Sequence, residues 1–234
     1  MGNEPHLPGM TNPAPNLVFD FDSTLVTVEG ADELFRHSLE HSQEAPAEQR
    51  QRMSRFQELT DRGMAGEISY EESFAARMAL LDLSIEEVRQ VAESLVGHLT
   101  PSVRRCRAEF RAHADRIWIV SGGFEELIVP VADWLGIERA RIRAHRLRFD
   151  PAGRLEGVDP GTAMARGGKP RALRELDLSG PVWVIGDGAT DLELREEGLA
   201  HRFFAFVENR SRPAVVAGAD HALQTIEDIF TWPS

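Results

Sequence analysis

Three short apolar runs, each followed at once by acidic or small polar residues, constrain the fold of this chain most strongly. They are NLVFDFD at 16–22, RIWIVSGG at 116–123 and PVWVIGDG at 181–188. Near-continuous apolar strands separated by helical segments are typical of a parallel α/β sheet that is covered on both faces. A fourth run, RFFAFV at 202–207, predicts a further strand. Because ligands of such sheets bind beyond the carboxyl ends of the strands, we expect the polar ends to meet at one edge.

Helix-start signals fill the long segment between the first two strands, which shows no strand-like alternation. They pair Ser69 with Glu72, Ser84 with Glu87, and Thr100 with Pro101. The segment is too long for a simple crossover, so we predict a helical cap inserted after the first strand. Such a lid can exclude water from a site at the strand ends and can recognise a substrate.

The chain is therefore predicted to have three parts. Residues 1–15 form a disordered lead-in, residues 16–27 and 101–234 form an α/β catalytic core, and residues 28–100 form the helical cap. Within the core, residues 101–115 are expected to return to the sheet as a helix.

A second alternating pattern lies between residues 141 and 158. Ile142, Ala144, Leu147 and Phe149 alternate with polar residues before a DPAG turn. This pattern predicts a short hairpin.

Composition excludes several classes of protein. Cys106 is the only cysteine, so no intramolecular disulfide can form, and we expect a buried structural thiol in a cytoplasmic protein. The net charge of −12 argues against nucleic acid as a partner, and it requires any phosphate site to be locally positive. No apolar run approaches the roughly 20 residues of a membrane span.

If the strand ends meet, they bring together four carboxylates, a hydroxyl, two glycines and the only lysine of the chain. These residues are Asp20, Asp22, Asp187, Asp191, Ser121, Gly122, Gly123 and Lys169. Four ionised carboxylates cannot share that volume unless a cation lies among them. Hard oxygen ligands suggest Mg²⁺, which commonly binds carboxylates, waters and a substrate phosphate oxygen. The set therefore predicts a magnesium site beside groups that bind an anion.

This set of residue types suits phosphoryl transfer. One Asp can attack a phosphoryl group to form an aspartyl-phosphate, while a second protonates the leaving oxygen and later activates water. Lys169, Ser121 and the amides of SGG can stabilise the phosphoryl charge. Taken singly, DxD also occurs in metal-binding transferases and ordinary turns, and SGG and GDG are often only turns. Their joint occurrence, with the sole lysine between the second and third, favours a phosphoryl-transfer site.

These motifs resemble those of the haloacid dehalogenase superfamily and, within it, of the phosphoserine phosphatases. DFDSTLV is similar to the first motif, SGG to the second, the lysine of ARGGKPRAL to the third and GDGATDLEL to the fourth. The resemblance covers residues 16–210. It implies a three-layer, Rossmann-like haloacid dehalogenase core of parallel strands with an inserted helical cap.

The resemblance also implies a role for each polar residue. Asp20 is the nucleophile and Asp22 the general acid/base. The Mg²⁺ ligands are Asp20, Asp187 and Asp22, the last through its backbone carbonyl, and Asp191 supports the water shell of the metal. The phosphate is held by Ser121, Gly122, Gly123 and Lys169. Thr190 stands where many relatives have Asn and faces the substrate side of the site, while Pro170 offers no backbone N–H after the lysine.

Two further residues carry the choice of substrate. By the same resemblance, Glu29 in VEGADEL meets the α-ammonium of L-phosphoserine and Arg77 in the cap holds its α-carboxylate. Arg77 also lies on an apolar helical stripe formed by Phe74, Met78 and Leu81, where a charge needs a partner. The alternative for Glu29 is an acidic residue that only stabilises a helix start. The alternatives for Arg77 are a structural ion pair and a side chain that extends its charged end to solvent.

The resulting expectation is a Mg²⁺-dependent phosphoserine phosphatase of serine biosynthesis, a monomer or homodimer that binds a small phosphoester. One alternative is a phosphatase of the same family for a phosphorylated amino alcohol or sugar. Another is a non-catalytic phospho-acceptor module of signalling, which also uses Asp, Mg²⁺ and Lys at strand ends. Asp22 argues against that module, because a stable aspartyl-phosphate should have no acid/base group two residues away.

Overall fold

A six-stranded sheet forms the centre of the computed structural model, which describes residues 13–64 and 67–233. The strand order is β3-β2-β1-β6-β7-β8, and every neighbouring pair is parallel. The strands are β1 (Asn16–Phe19), β2 (Ile117–Phe124), β3 (Ile142–His145), β6 (Val182–Gly186), β7 (Arg202–Phe206) and β8 (His221–Leu223), and a separate pair is formed by β4 (Leu147–Phe149) and β5 (Leu155–Val158). The predicted parallel α/β fold is confirmed.

Side chains of the central strand point alternately to the two faces of the sheet. Leu17 and Phe19 pack into one apolar cluster, whereas Val18 packs into the other. Both clusters are buried under helices, which gives the three layers that the sequence predicts. The chain proceeds from β1 outward on one side and from β6 outward on the other, so the topological switch point lies between β1 and β6.

Helices cover the sheet and fill the segment between β1 and β2. They are α1 (Gly30–Glu40), α2 (Pro46–Met64), α3 (Tyr70–Met78), α4 (Ile85–Ser94), α5 (Pro101–Arg105), α6 (Arg107–Ala112), α7 (Glu125–Leu135), α8 (Ala163–Arg174), α9 (Ala189–Glu196), α10 (Pro213–Gly218) and α11 (Glu227–Thr231). Short 3₁₀ turns occur at Leu95–His98, Ala114–Arg116 and Arg139–Arg141. No helix within the described ranges has the length and apolar character needed to cross a membrane.

The predicted helix starts are largely confirmed. Both capping boxes form, with Ser69 and Glu72 at α3 and Ser84 and Glu87 at α4. Thr100 precedes Pro101 at the start of α5, but its hydroxyl donates to Thr24 O at 2.8 Å instead of capping the helix.

The helix predicted over 101–115 is interrupted at Cys106. This residue adopts φ −83° and ψ 18°, which lies outside the helical basin and separates α5 from α6. As expected, Cys106 is a free and buried thiol. Burial raises the pKa of Cys106 to about 12, so it is inert as a nucleophile.

Two paired chain segments connect the core to the helices between β1 and β2. Val26 forms an antiparallel bridge with Leu99. Thr27 N donates to His98 O at 2.9 Å, and Thr100 N donates to Leu25 O at 3.0 Å. The segments that enter and leave the helical insertion are therefore joined to each other at the edge of the core.

The prediction for residues 141–158 was half wrong. β4 and β5 form the antiparallel hairpin around the DPAG turn, but Ile142 and Ala144 belong to β3, which pairs in parallel with β2. Alternation shows that a segment is extended but does not tell whether its partner is local or remote. Of the predicted lead-in, residues 1–12 lie outside the described residues, and residues 13–15 have no regular secondary structure.

Candidate active site

The carboxyl ends of β1 and β6 bring three carboxylates together. One oxygen each from Asp20, Asp187 and Asp191 lies within 4.8 Å of the other two. Lys169 Nζ lies 2.8 Å from Asp20 Oδ1 and 2.7 Å from Asp191 Oδ1. All four side chains are buried or nearly so. An ammonium held between two acids in this way partly offsets the cost of burying them.

A break in α8 positions Lys169. Gly168 has φ +61° and ψ −160°, a conformation that only glycine adopts readily, and it divides the helix into two segments. Pro170 therefore lies in the first turn of the second segment, where a missing N–H leaves no helical hydrogen bond unmade. Burial lowers the pKa of Lys169, but Asp191 and Asp20 outweigh it and hold the pKa above its usual value. Lys169 is thus a permanent positive charge.

Asp191 holds this lysine from the first turn of α9. Its second oxygen, Oδ2, accepts from Gly188 N at 3.1 Å. A Cβ on Gly186 would lie 2.3 Å from Asp191 Cγ, so only glycine fits at that position. Burial and the neighbouring Asp20 raise the pKa of Asp191, against the influence of Lys169. Sequence reasoning assigned Asp191 to the metal's water shell, and the structure gives it a direct contact with the lysine. Gly186 is the first residue of GDG, but sequence reasoning gave it no role of its own.

Arg212 faces Asp187 and was also missed by sequence reasoning. Its Nε donates to Asp187 Oδ2 at 3.1 Å from the residue that precedes α10. Burial raises the pKa of Asp187 and Asp20 adds to this, while Arg212 opposes it. The only sequence signal was an arginine directly before a Pro-initiated helix that follows the fourth predicted strand.

Asp22 lies beside this cluster with its carboxylate turned towards α1. Its Oδ1 accepts from Gly30 N at 2.8 Å. Burial raises the pKa of Asp22 well above its usual value, and the charges of Glu29 and Asp20 add to the effect. A raised pKa favours the protonated form of the carboxyl group, which is the form that can serve as a general acid.

The SGG segment lies inside a strand, so it is not a simple turn. β2 continues to Phe124, and its register against β3 shifts between Val120 and Phe124. Such an irregularity bends the strand without ending it. Ser121 is buried and its Oγ accepts from Gly123 N at 2.9 Å. Gly122 lies between them, and a Cβ on Gly123 would lie 3.0 Å from Asp22 Oδ2.

Glu29 and Arg77 both lie in the helical insertion, and the charge of Glu29 acts on Asp22 and Asp187 of the site. Glu29 precedes α1, and its Oε1 accepts from Ser23 Oγ at 2.7 Å and lies 3.6 Å from Arg210 Nη1. Arg77 in the last turn of α3 has its guanidinium 5.7 Å from the ring of Phe56. Its Nε is buried and has no hydrogen-bond partner within the described part of the chain.

Both residues influence Asp32, which lies in the first turn of α1. Burial raises the pKa of Asp32 and Glu29 adds to it, while Arg77 opposes the rise. Glu29 and Arg77 are therefore close enough to act on the same carboxyl group. Thr190, by contrast, is exposed in the first turn of α9.

The donor set fits a hard divalent cation. The three clustered groups are all carboxylates, and no described nitrogen or sulfur ligand joins them. With Asp22 the site has four acids, and the cations that pair with them among the described residues are Lys169 and Arg212. The cluster contains Asp20 and Asp187 from the predicted metal ligands, whereas the side chain of Asp22 bonds to Gly30 N.

Comparisons with known proteins agree with this geometry. The family model described as haloacid dehalogenase-like hydrolase matches residues 17–196. The chain is 34% identical over 216 residues to the chloroplastic phosphoserine phosphatase of Arabidopsis thaliana, covering 91% of this chain and 69% of that protein. It is 30% identical over 217 residues to the phosphoserine phosphatase of Drosophila melanogaster, covering 91% and 75%. The crystal structure of a phosphoserine phosphohydrolase-like protein from Francisella tularensis matches with a TM-score of 0.76 and 28% identity, covering 94% of this chain and 100% of that one.

Proposed function

The chain belongs to the haloacid dehalogenase-like hydrolase family, and on this premise we propose that it hydrolyses L-phosphoserine to L-serine and phosphate through an aspartyl-phosphate. The observation that carries the proposal is Lys169 between Asp20 and Asp191, with Asp187 beside them at the sheet edge. The names of the A. thaliana and D. melanogaster relatives support this substrate.

Asp20 is the nucleophile. Among the described residues, its side chain contacts two donors, Phe21 N at 2.7 Å and Lys169 Nζ at 2.8 Å, and both contacts are made by Oδ1. Oδ2 is therefore the oxygen that attacks phosphorus. An oxygen–phosphorus bond forms on Asp20 while the bond to the seryl oxygen breaks, and Asp22 gives its proton to that leaving oxygen.

The second half of the reaction reverses the role of Asp22. As a carboxylate, it takes a proton from a water molecule that attacks the phosphorus of the aspartyl-phosphate. The bond to Asp20 then breaks, which releases phosphate and restores both acids. Lys169, Ser121 and the backbone of Gly122 and Gly123 hold the phosphoryl oxygens throughout.

The residues present suit Mg²⁺ as the cofactor, with Asp20, Asp187 and the backbone carbonyl of Asp22 as its protein ligands and Asp191 and Thr190 nearby. When bound, Mg²⁺ would neutralise charge on the phosphoryl oxygens and on the acids around them. Burial and neighbouring acids raise the pKa values of Asp22, Asp187 and Asp191, and a bound cation would oppose that rise.

The cap provides substrate recognition. Glu29 accepts the α-ammonium, and Arg77, whose Nε lacks a partner among the described residues, binds the α-carboxylate. We assign the cap to residues 28–100 and the core to residues 16–27 and 101–234. We also propose that the protein acts in the cytoplasm, as a monomer or homodimer, in the last step of serine biosynthesis.

The direct test is Mg²⁺-dependent phosphate release from L-phosphoserine, phosphoethanolamine, phosphothreonine and sugar phosphates, with Asp20→Asn as the blank. We expect a clear preference for phosphoserine that EDTA and the blank substitution both abolish. Preference for another phosphoester would replace the substrate and keep the mechanism. Uptake of phosphate that the protein retains for hours would instead favour a signalling module.

Arg77→Ala tests the carboxylate contact. Loss of a buried charged partner should raise the KM for phosphoserine roughly 30-fold or more, because the substrate carboxylate is left unpaired. Phosphoethanolamine has no carboxylate, so its KM should change little and serves as the internal control. An unchanged KM for phosphoserine would remove this role from Arg77.

A further inference from the structure

Ser23, the residue directly after Asp22, has an unusual backbone and a buried hydroxyl. It is 3% exposed and has φ +52°, and among the described non-glycine residues only Asp177 shares a positive φ. Its Oγ donates to Glu29 Oε1 at 2.7 Å. A strained backbone at a functional site persists only when the surrounding contacts hold it in place.

Several contacts hold Ser23 from both sides. Its N–H donates to Val28 O at 3.3 Å, and its carbonyl accepts from Asn209 Nδ2 at 3.1 Å. One residue earlier, Asp22 Oδ1 accepts from Gly30 N at 2.8 Å. The residues that flank the start of α1 are thus joined pairwise to Asp22 and Ser23, so the loop places Glu29 at a set distance from the acid/base group.

Without this hydroxyl, the carboxylate of Glu29 has only one other close polar partner in the described part of the chain. That partner is Arg210, whose Nη1 lies 3.6 Å away and whose side chain is half exposed. An exposed ion pair of this length contributes little to stability and does not fix a rotamer. This ion pair would also draw the Glu29 carboxylate towards Arg210, whose positive charge competes with the ammonium of the substrate. The hydroxyl of Ser23 is therefore the contact that sets the direction of Glu29.

We propose that Ser23 is a positioning residue whose hydroxyl holds Glu29 ready to receive the α-ammonium of the substrate. The inference rests on the proposed function and adds to it a residue that determines specificity without touching the substrate. Because a hydroxyl donor satisfies one carboxylate oxygen without neutralising the charge, Glu29 keeps its full attraction for a cation.

The test compares two substrates that differ only in the group Glu29 reads: L-phosphoserine and its analogue with a hydroxyl in place of the ammonium. The readout is the kcat/KM for L-phosphoserine divided by the kcat/KM for the hydroxyl analogue. Ser23→Ala should lower this ratio roughly tenfold, the effect of one hydrogen bond to a charged group. Ser23→Gly should lower it equally, because it also removes the hydroxyl although it relieves the positive φ.

A double-mutant cycle separates this role from a general effect on the loop. In a Glu29→Gln background, Ser23→Ala should lower the ratio no further, because the group that it positions is gone. An equal loss of kcat/KM for both substrates, or a loss with Ser23→Ala but not with Ser23→Gly, would overturn the proposal in favour of a purely structural role.

The proposed function is tested separately by two proteins that retain Ser23, namely the unaltered protein and Glu29→Gln. If the unaltered protein does not hydrolyse phosphoserine, or if Glu29→Gln leaves the ratio unchanged, then the proposed substrate or its recognition is wrong and the role of Ser23 falls with it. If Glu29→Gln lowers the ratio and the Ser23 variants do not, only the present inference fails.

Discussion

At the scale of single residues, the site depends on one ammonium. Lys169 is the only lysine among 26 basic residues, and it is 5% exposed between Asp20 and Asp191. A compact ammonium with donors in several directions can meet both carboxylates and still face a phosphate. A planar guanidinium on a longer side chain cannot reproduce that geometry.

Lys169→Arg should therefore lower kcat for phosphoserine by about 100-fold, as expected when a catalytic group is displaced by about an ångström. Steady-state phosphate release measures the effect. Arg89→Lys, in an exposed ion pair with Glu86 on α4, is the matched control and should leave kcat unchanged. Near-normal turnover by Lys169→Arg would show that charge alone is sufficient.

Gly186 is the second residue whose identity is required by its surroundings. Gly186→Ala would place a Cβ 2.3 Å from Asp191 Cγ and should push Asp191 away from Lys169. We expect a free energy of unfolding lower by about 1 to 3 kcal/mol, from overpacking, together with a loss of turnover. Denaturant unfolding and phosphate release measure the two effects.

Gly97 provides the control for this substitution. A Cβ at Gly97 meets no atom within 4 Å, so Gly97→Ala should alter neither stability nor activity by much. If Gly186→Ala were as stable and as active as Gly97→Ala, then the close packing of Asp191 would not be needed for the position of the lysine.

At the scale of elements, a contact between β3 and α3 joins the sheet to the helical insertion. His145 at the end of β3 is buried, and its ring stacks on Phe74 of α3 with centroids 4.9 Å apart. Its Nδ1 is buried without a hydrogen-bond partner among the described residues. Burial lowers the pKa of His145, so the folded state favours the neutral form of its imidazole.

This contact predicts a pH dependence of stability. Between the lowered pKa of folded His145 and the value of about 6.5 in the unfolded chain, the unfolded state binds more protons. The free energy of unfolding should therefore fall as pH drops below about 6.5, by at most about 1.4 kcal/mol per pH unit from this group. His145→Phe keeps the stacking and removes the titration, so it should lose less stability between pH 7.5 and pH 5.

Denaturant unfolding of both proteins at both pH values measures this difference. His37, whose pKa is also lowered by burial, and every carboxylate are common to the two proteins, so the difference isolates His145. An equal loss of stability in both proteins would show that His145 is not the group responsible.

The hairpin of β4 and β5 is a second connection to the helical insertion. Leu155 N donates to Leu83 O and Ile85 N donates to Gly153 O, each at 2.8 Å. Arg154 forms ion pairs with Asp82 and Glu87. Since the backbone bonds are made by residues on both sides of the start of α4, the hairpin holds that helix in a defined position over the core.

At the scale of the whole molecule, the chain carries a net charge of −12 and concentrates four carboxylates at the switch point of its sheet. A cation that binds only the folded state stabilises it by mass action. Mg²⁺ at ten times its dissociation constant should raise the free energy of unfolding by about 1.4 kcal/mol. Asp187→Asn should greatly reduce that gain, because it replaces one of the clustered carboxylates with an uncharged amide.

Thermal unfolding with and without Mg²⁺ measures this effect independently of activity. Asp177→Asn is the control, because Asp177 is exposed and its positive φ is tolerated by Asn. This variant removes the same charge from a remote surface and should keep the full Mg²⁺ response. Equal responses in both variants would point to screening of the overall charge instead of a bound ion.

Local features were predictable from sequence because their causes are local. The capping boxes of α3 and α4 are each formed within four residues, and the apolar runs of β1, β2, β6 and β7 reflect burial on both faces of a sheet. The position of a strand within the sheet was harder to predict from the sequence. The segment at Ile142 had the alternation of a hairpin strand, yet it pairs with β2 at the edge of the main sheet.

The sequence by itself thus determined the fold class, the acids at the strand ends and the lysine that joins them, because periodicity and the chemistry of buried charge act on short segments. Only the tertiary structure decided which atoms meet: Asp191 with Lys169, Arg212 with Asp187, and Asn209 with the carbonyl of Ser23. These partners lie 22, 25 and 186 residues apart in the chain. Contacts between side chains so distant depend on the relative placement of whole elements, which no local pattern encodes.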